Sequence, residues 1–467
     1  MIATKRSQQA ISEFNHSLEL RPDDPDTLTS RGVFLRRLRR YDEAMADFSR
    51  SLELRPDDPD TLNGRGLALA LLERYDEALA DFVRSLELRP DHLDTLNNRG
   101  AALRRLGRHD EALADLNRCL EQRPDDPNAL NNRGAALDDV QRHEEALVVF
   151  NRSLELRPDN PSALANRGVC LDSLSHQEEA LADLNRSLQV RPDHPDTLHS
   201  RGITLDHLGR YEDALVDFDR CLKLRPDDPA AHHSRAVTLA RLRRHDEALA
   251  DFNRSLQARP DDPEALNNRG VTLDSLACYD EALIDFHRSL ELRPDDPDAL
   301  HNRGHTLDSL HHLDAALADF SRALELRPDD PGSLTGRGIV LARLERYDDA
   351  LTDFDRSLQL RPDHADTLQN RGIALGRLHR YKEAGRDFAH VLLLSPTDSD
   401  AVYNLACVSS LTGRLDEALL QLTHAISRGG RYRLMARDDP DFANLRADPQ
   451  LGPQVRRLVG DADAAAT

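Results

Sequence analysis

Three side chains in one stretch of the sequence have the spacing of a metal site. His301 and His305 are four residues apart, and Asp308 follows three residues later. On one helix all three would share a face, and imidazole and carboxylate are both ligands of zinc in proteins. The alternative is that these histidines are solvated groups that line a surface. We expect the alternative, with no bound metal.

The sequence lacks the other patterns that support catalysis. It contains no phosphate-binding loop, nucleophile elbow or HExxH motif. Paired carboxylates such as Asp57 and Asp58 recur at expected helix boundaries, where they are typical of helix capping. The five cysteines form no paired ligand motif, and Cys119 and Cys221 share a position that otherwise holds small packing residues. We therefore expect a protein that is not an enzyme and uses no cofactor.

The sequence repeats with a period of 34 residues. The phrase ELRPDDPDTL occupies residues 19–28 and again residues 53–62, and its first proline occurs twelve times at this spacing without a gap, from Pro22 to Pro396. A turn this rich in proline and aspartate marks the end of one helix and the start of another. At 467 residues, length alone suggests about three domains, but a fixed period of this size indicates a stack of structural repeats.

Each period predicts two helices. In residues 59–92, Asp58 suits the N-cap and Pro59 the first turn of a helix that ends near Leu72, and a second helix spans about residues 76–88. With Pro59 as position 1, position 8 is Gly or Ala and position 20 is always Ala. These small residues allow two helix backbones to approach closely, while Phe or Leu at position 24 fills the space beside them. The pattern predicts an antiparallel hairpin that the next hairpin covers.

Charged residues follow the same period. Position 7 is Arg in the first eleven repeats, at the edge of the buried face, and position 23 is Asp in ten of those repeats. Because an unpaired charge is costly at such a place, we predict an ion pair between the two helices of each repeat. The alternative is that these arginines bind a ligand. Val149 replaces the aspartate in the fourth repeat, so the pattern predicts that Arg133 lacks its aspartate partner.

These positions resemble those of the tetratricopeptide repeat, which has a small residue at position 8, Ala at 20, an aromatic residue at 24 and Pro at 32. The resemblance covers about residues 7–430. It departs from the family at position 4, where Leu usually replaces Trp, and at position 7, where Arg replaces Leu. The resemblance implies an all-α fold, a right-handed superhelical solenoid of antiparallel helix pairs.

The expected organisation follows from the period and from the resemblance. Residues 1–24 match only a second helix and its turn, 25–398 are eleven repeats, 399–432 are a diverged twelfth, 433–460 resemble a helical cap, and 461–467 are expected to be a disordered tail. The open face of the first segment predicts either self-association or fraying.

In this family positions 2, 5, 6, 9, 12 and 13 of the first helix line a concave groove that binds peptides or proteins. Asparagine recurs at position 6, namely at Asn98, Asn132, Asn166, Asn268, Asn302, Asn370 and Asn404. Since asparagine is both donor and acceptor, it can hold a peptide amide whatever side chain that peptide carries. The row resembles the asparagine ladder of the O-GlcNAc transferase superhelix. The alternative is that asparagine is only a tolerated polar residue on a solvated helix.

Charge is uneven along the expected groove. Four arginines come early, at Arg36, Arg37, Arg104 and Arg105, and acidic residues follow at Asp138, Asp172, Asp206, Asp274 and Asp308. Because juxtaposed like charges exclude wrong partners, this order predicts an extended partner with an acidic stretch followed by a basic one.

Composition limits the remaining choices. The net charge of −21 argues against a general nucleic-acid binder, no apolar run is long enough to cross a membrane, and the N-terminus lacks the apolar core of a signal peptide. Only three lysines occur, which is typical of a GC-rich bacterial genome. We expect a cytoplasmic bacterial scaffold that binds an extended protein or peptide. The alternative is a substrate-recruiting portion of a larger enzyme such as a glycosyltransferase.

Overall fold

A computed structural model describes residues 2–460, with side chains from residue 7 onwards, as α-helices joined by short turns. No β-strand occurs among these residues. The chain divides into two compact units, Met1–Thr238 and Leu239–Thr467. The expected tail, residues 461–467, lies outside the described residues.

The first unit is a stack of helix pairs. It contains α1 (Ile2–Leu20), then α2 (Pro25–Arg37) with α3 (Tyr41–Leu54), α4 (Pro59–Leu71) with α5 (Tyr75–Leu88), α6 (Leu93–Arg105) with α7 (His109–Gln122), α8 (Pro127–Asp139) with α9 (His143–Leu156), α10 (Pro161–Ser173) with α11 (Gln177–Val190), and α12 (Pro195–His207) with α13 (Tyr211–Leu224). The boundary between the units lies within α14 (Pro229–Arg241).

The second unit is built in the same way. After α15 (His245–Ala258) it contains α16 (Pro263–Ser275) with α17 (Tyr279–Leu292), α18 (Pro297–Ser309) with α19 (Leu313–Leu326), α20 (Pro331–Arg343) with α21 (Tyr347–Leu360), α22 (Ala365–Arg377) with α23 (Tyr381–Leu394), and α24 (Ser399–Leu411) with α25 (Leu415–Arg428). The last elements are α26 (Gly430–Asp438), a 3-10 turn (Pro440–Phe442), α27 (Ala443–Ala447) and α28 (Gly452–Val459).

Local sequence sets the helix boundaries. Before α8, the carboxylate of Asp126 accepts hydrogen bonds from the backbone N–H groups of Asn128 and Ala129, at 2.9 and 3.2 Å, and Pro127 occupies the first turn. After the first helix of most pairs, the residue at position 15 has a left-handed backbone, as at Ala277 with φ of 58°. The connection within each pair is short, so the two helices run antiparallel.

The core of each hairpin lies between a small residue and an aromatic ring. Ala282 at position 20 and Phe286 at position 24 are completely buried. The sequence predicts that Gly270 faces Ala282 at close range, but its tight neighbour is Phe286, since a β-carbon on Gly270 would lie 2.7 Å from Cε1 of that ring. The ring, more than the backbone of the second helix, therefore limits the size of the residue at position 8.

The predicted ion pairs between positions 7 and 23 are confirmed. In each of the following pairs, Nε and Nη2 of the arginine donate to the two carboxylate oxygens: Arg31–Asp47, Arg65–Asp81, Arg99–Asp115, Arg167–Asp183, Arg201–Asp217, Arg269–Asp285, Arg303–Asp319, Arg337–Asp353 and Arg371–Asp387. These bidentate contacts fix one helix of each pair against the other.

Arg133 lacks the aspartate partner of its own repeat, as Val149 predicts, but it has another acceptor. Its Nε donates to Oδ1 of Asn117, at 2.7 Å, on the second helix of the preceding repeat. Other arginines at position 7 also use this neighbour, as where Nη1 of Arg167 donates to Oδ1 of Asn151 at 2.7 Å. Position 7 thus links adjacent repeats as well as the two helices of one repeat.

The C-terminal segment packs onto the last helix pair. Phe442, Leu445 and Val455 are completely buried in one cluster with Tyr403 of α24 and Leu422 of α25. These contacts cover an apolar face of the last hairpin. None of the helices within residues 2–460 is long and apolar enough to cross a membrane.

Candidate functional site

Asparagines of adjacent repeats are hydrogen-bonded to one another along the first helices. Nδ2 of the asparagine at position 6 donates to Oδ1 of the asparagine at position 5 in the preceding repeat. The pairs are Asn98 to Asn63 and Asn132 to Asn97, both at 2.9 Å, Asn166 to Asn131 at 3.0 Å, and Asn302 to Asn267 at 3.1 Å. Three of these pairs follow one another in the first unit, from α4 to α10, and form a continuous row of six amides.

Each position-6 asparagine in these pairs uses only part of its hydrogen-bonding capacity. Asn98, Asn132, Asn166 and Asn302 are partly exposed, and each uses one Nδ2 hydrogen in its inter-repeat bond. An amide has two donor hydrogens and one acceptor oxygen, so Oδ1 and the second hydrogen remain for a ligand. The inter-repeat bond holds each amide in one orientation, which lowers the entropy cost of binding.

The remaining predicted asparagines are placed differently. Asn370 turns back to its own helix, where Nδ2 donates to the backbone oxygen of Asp366 at 2.8 Å. Asn268 and Asn404 are partly exposed on α16 and α24. The row therefore has its longest uninterrupted part in the first unit.

The predicted basic end contains two exposed and two constrained arginines. Arg37 and Arg105 are exposed, and neither makes an ion pair within the described part of the chain. Arg36 is half-buried, its Nε lacks a hydrogen-bond partner, and this burial together with the nearby charge of Arg37 lowers its pKa. Nη1 of Arg104 donates to Oδ2 of Asp139 at 3.1 Å. Arg37 and Arg105 are thus the available positive charges.

The predicted acidic residues lie deeper than a solvated stripe would. Asp206 and Asp274 each accept a hydrogen bond from a threonine at position 10 of the next repeat, Thr238 at 2.8 Å and Thr306 at 2.6 Å. Asp138 contacts Nδ1 of His143 at 2.7 Å, Asp172 contacts Nδ1 of His207 at 2.9 Å, and Asp308 accepts from Arg343. The contact of Asp138 joins the two helices of its own repeat, whereas the other four carboxylates link adjacent repeats, and only a small part of each is presented to solvent.

Three asparagines of the amide row, Asn131, Asn132 and Asn166, line one cavity of the first unit together with Arg104 and Arg105. It has a volume of about 550 Å³, and its walls include Tyr75, Arg105, Asn132, Asn166, Ser200 and Arg225. These residues come from five successive repeats, so a ligand that fills the cavity must be elongated along the stack. The walls are mainly polar and carry four arginines, Arg104, Arg105, Arg191 and Arg225, beside two carboxylates, Glu73 and Asp196, and this excess of positive charge suits an anionic or amide-rich chain.

The histidines that suggested a metal site make other contacts. Nδ1 of His301 lies 2.9 Å from Oγ of Ser333, and the rings of His301 and His305 pack edge-on against Phe320. Burial, followed by the charge of His305, lowers the pKa of His301. Among the described residues, the groups whose ligand atoms cluster are Asp138, His143 and Cys170, and separately Cys407, Asp439 and Asp441.

The thiols differ in accessibility. Cys119 and Cys221 are buried, and burial raises the pKa of each thiol to about 11. Since the thiolate is the reactive form, their predicted inertness agrees with these environments. Cys278 is exposed.

Comparisons with known proteins concern the repeats. Family models described as tetratricopeptide repeat match residues 57–125 and 91–159, residues 173–239 and 235–303, and residues 3–59, 131–196 and 301–365. No curated protein matches the sequence.

Several solved structures are similar. The APC/C hetero-tetramer Cut9–Hcn1 aligns with a TM-score of 0.53 and 14% identity over 87% of this chain and 94% of that chain. Yeast Tom70 aligns at 0.38 and 18% over 92% and 99%, and a tetratricopeptide repeat protein from Parabacteroides merdae at 0.43 and 21% over 53% and 98%. The first alignment reflects a shared helical-repeat fold.

Proposed function

The chain belongs to the tetratricopeptide repeat family, and from this premise we propose that it is a non-enzymatic scaffold that binds an extended polypeptide. The observation that carries the proposal is the row of inter-bonded asparagines from Asn63 to Asn166. Three of its members, Asn131, Asn132 and Asn166, line a cavity of about 550 Å³. Such a row offers amide donors and acceptors at repeated intervals, as an extended backbone requires.

The asparagine amides supply affinity that does not depend on the peptide sequence, and the charged residues supply specificity. Asparagine pairs with any peptide group, so the row alone would hold many extended chains weakly. Arg37 and Arg105 favour acidic residues at one end, while the mostly buried carboxylates from Asp138 onwards disfavour them through the charge that they present at the surface. The preferred ligand is an extended segment with acidic residues followed by basic residues.

The direct test uses fluorescent synthetic peptides with four acidic and four basic residues in either order, measured by anisotropy. Replacing Asn98, Asn132 and Asn166 by alanine should lower the affinity for every peptide that binds, by a similar factor for each. The matched control removes three exposed amides from second helices, Gln122, Gln189 and Gln257. If both triple variants bind as the parent does, the amide row is not the site.

We also propose self-association through α1. Phe14 is only partly buried, with its ring centroid 6.0 Å from that of Phe34, whereas its equivalents Phe48 and Phe82 are completely buried. A second copy would bury the rest of this face. Light scattering at rising protein concentration should then show a dimer that Phe14→Ser abolishes, and a concentration-independent monomer would contradict the proposal.

A further inference from the structure

Three potential metal ligands of different chemistry converge at the junction of the fourth and fifth repeats. Asp138 lies at the end of α8, His143 begins α9, and Cys170 lies on α10. One ligand atom from each lies within 4.8 Å of the other two. The thiol is completely buried, while the side chains of Asp138 and His143 are 16% and 17% exposed. The cluster is therefore closed on the thiol side and open to water on the other.

The equivalent junctions of other repeats, which lack the Asp–His–Cys cluster, contain different side chains. At the corresponding place in the second unit, Oγ1 of Thr306 donates to Oδ1 of Asp274 at 2.6 Å, and Tyr279 begins the second helix. Cysteine thus stands where the chain elsewhere uses threonine, and histidine where it uses tyrosine. Among the twelve repeats, aspartate at position 12, histidine at position 17 and cysteine at position 10 of the following repeat coincide only here.

From this coincidence we propose that Asp138, His143 and Cys170 form a site for a zinc-class divalent cation. A thiolate with an imidazole and a carboxylate suits zinc, whereas magnesium and calcium take oxygen ligands. Three protein ligands leave a fourth tetrahedral position, which water fills from the open side. The ion ties the turn between α8 and α9 to α10 of the next repeat.

Only small movements are required. Ligand atoms around tetrahedral zinc are separated by about 3.5 Å, given bonds of about 2.0–2.3 Å. The 2.7 Å contact between Asp138 and His143 must lengthen, which rotation of two partly exposed side chains allows. Binding breaks the S–H bond of Cys170 and forms a sulfur–metal bond, and the proton passes to solvent.

The test is a cobalt titration of the full chain, purified without a histidine tag. One Co²⁺ per chain should produce a thiolate-to-cobalt charge-transfer band, and Zn²⁺ should remove it by displacement. Cys170→Thr should abolish the band, and His143→Tyr should weaken cobalt binding by at least about tenfold. Both substitutions install residues that the chain itself uses at these positions, so circular dichroism should show an unchanged fold.

The control is Cys221→Ser, which restores the usual residue at position 27 and should leave the band intact. Cobalt bound by the many other histidines gives no thiolate band, so it does not imitate the site. Absence of the band at stoichiometric cobalt, or a band that survives Cys170→Thr, would overturn the proposal.

Discussion

Nε of Arg133 donates to Oδ1 of Asn117 at 2.7 Å, in a repeat where Val149 replaces the aspartate that partners this arginine elsewhere. The second helix of the preceding repeat thus supplies what the arginine's own repeat lacks. One neutral acceptor replaces a bidentate carboxylate, so Arg133 is held less firmly than its equivalents.

Restoring the carboxylate should therefore be tolerated at a buried site. Val149 is 7% exposed, and Val149→Asp places a charge there within reach of Arg133. We expect the free energy of unfolding in urea to change by less than about 1 kcal/mol. In an Arg133→Met background the same substitution should cost about 3 kcal/mol or more, because the buried charge then has no partner. Equal costs in both backgrounds would contradict the pairing.

A second prediction concerns the contact of Gly270 with Phe286. A β-carbon on Gly270 would lie 2.7 Å from the ring, so Gly270→Ala should lower the free energy of unfolding by about 1–3 kcal/mol. The twelfth repeat combines Ala406 with Leu422 at position 24, and the seventh combines Ala236 with Phe252, so small shifts of the neighbours admit a methyl group at position 8. Phe286→Leu, which exchanges the ring for a more flexible side chain, should offset part of the cost of Gly270→Ala. Strictly additive effects would show that the two residues do not compete for space.

Local features of this fold could be predicted from the sequence. The cap at Asp58, the burial of Ala282 and Phe286 and the ion pair of Arg65 with Asp81 each depend on spacing within one repeat. Side-chain contacts between adjacent repeats could not be predicted, because the sequence pattern shows which residues share a face of one helix but not which residues of the next repeat face them. The bond from Asn98 to Asn63 spans 35 residues, and the only signal for it was the asparagine pairs at positions 5 and 6.

A third prediction uses the left-handed backbone at position 15. Ala277 has φ of 58° and is exposed, a conformation that costs residues other than glycine about 1–2 kcal/mol. Ala277→Gly should raise the free energy of unfolding by about 1 kcal/mol, as measured in urea. The control is Ala114→Gly within helix α7, where glycine should instead lower it by about 1 kcal/mol. The same sign for both substitutions would contradict the backbone argument.

The pKa of His301 predicts a pH dependence. Burial lowers the pKa of this side chain, so at mildly acidic pH the unfolded chain binds more protons than the folded one. The stability contributed by the neutral ring is complete above the ordinary pKa of about 6.5 and is lost as pH falls below it. His301→Asn should flatten the loss of thermal stability between pH 7 and 5. His16→Asn is the control, because His16 is largely exposed, and it should leave the pH profile unchanged.

The final prediction separates Arg104 from Arg105, which the sequence treats alike. Both arginines line the cavity, but Arg104 is paired with Asp139 at 3.1 Å, whereas Arg105 is exposed and makes no ion pair within the described part of the chain. Replacing both by glutamate should lower the affinity for a peptide with acidic residues followed by basic residues by about tenfold, and it should reduce the salt dependence of binding. Arg105→Glu alone should account for most of that loss, because an exposed, unpaired charge meets the ligand while a paired one is already compensated.

Lys223→Glu provides the control for net charge. It makes the same change of two units at an exposed position on α13, away from the first helices that carry the amide row. Peptide affinity measured by anisotropy should therefore change little in Lys223→Glu. If the peptide were instead attracted by the net charge of the whole molecule, Lys223→Glu and Arg105→Glu would weaken binding equally. If Arg104→Glu proves more damaging than Arg105→Glu, the ion pair with Asp139 opens during binding and Arg104 contacts the ligand. If neither arginine matters, the acidic part of the ligand lies outside this cavity, and selection must come from another surface of the repeats.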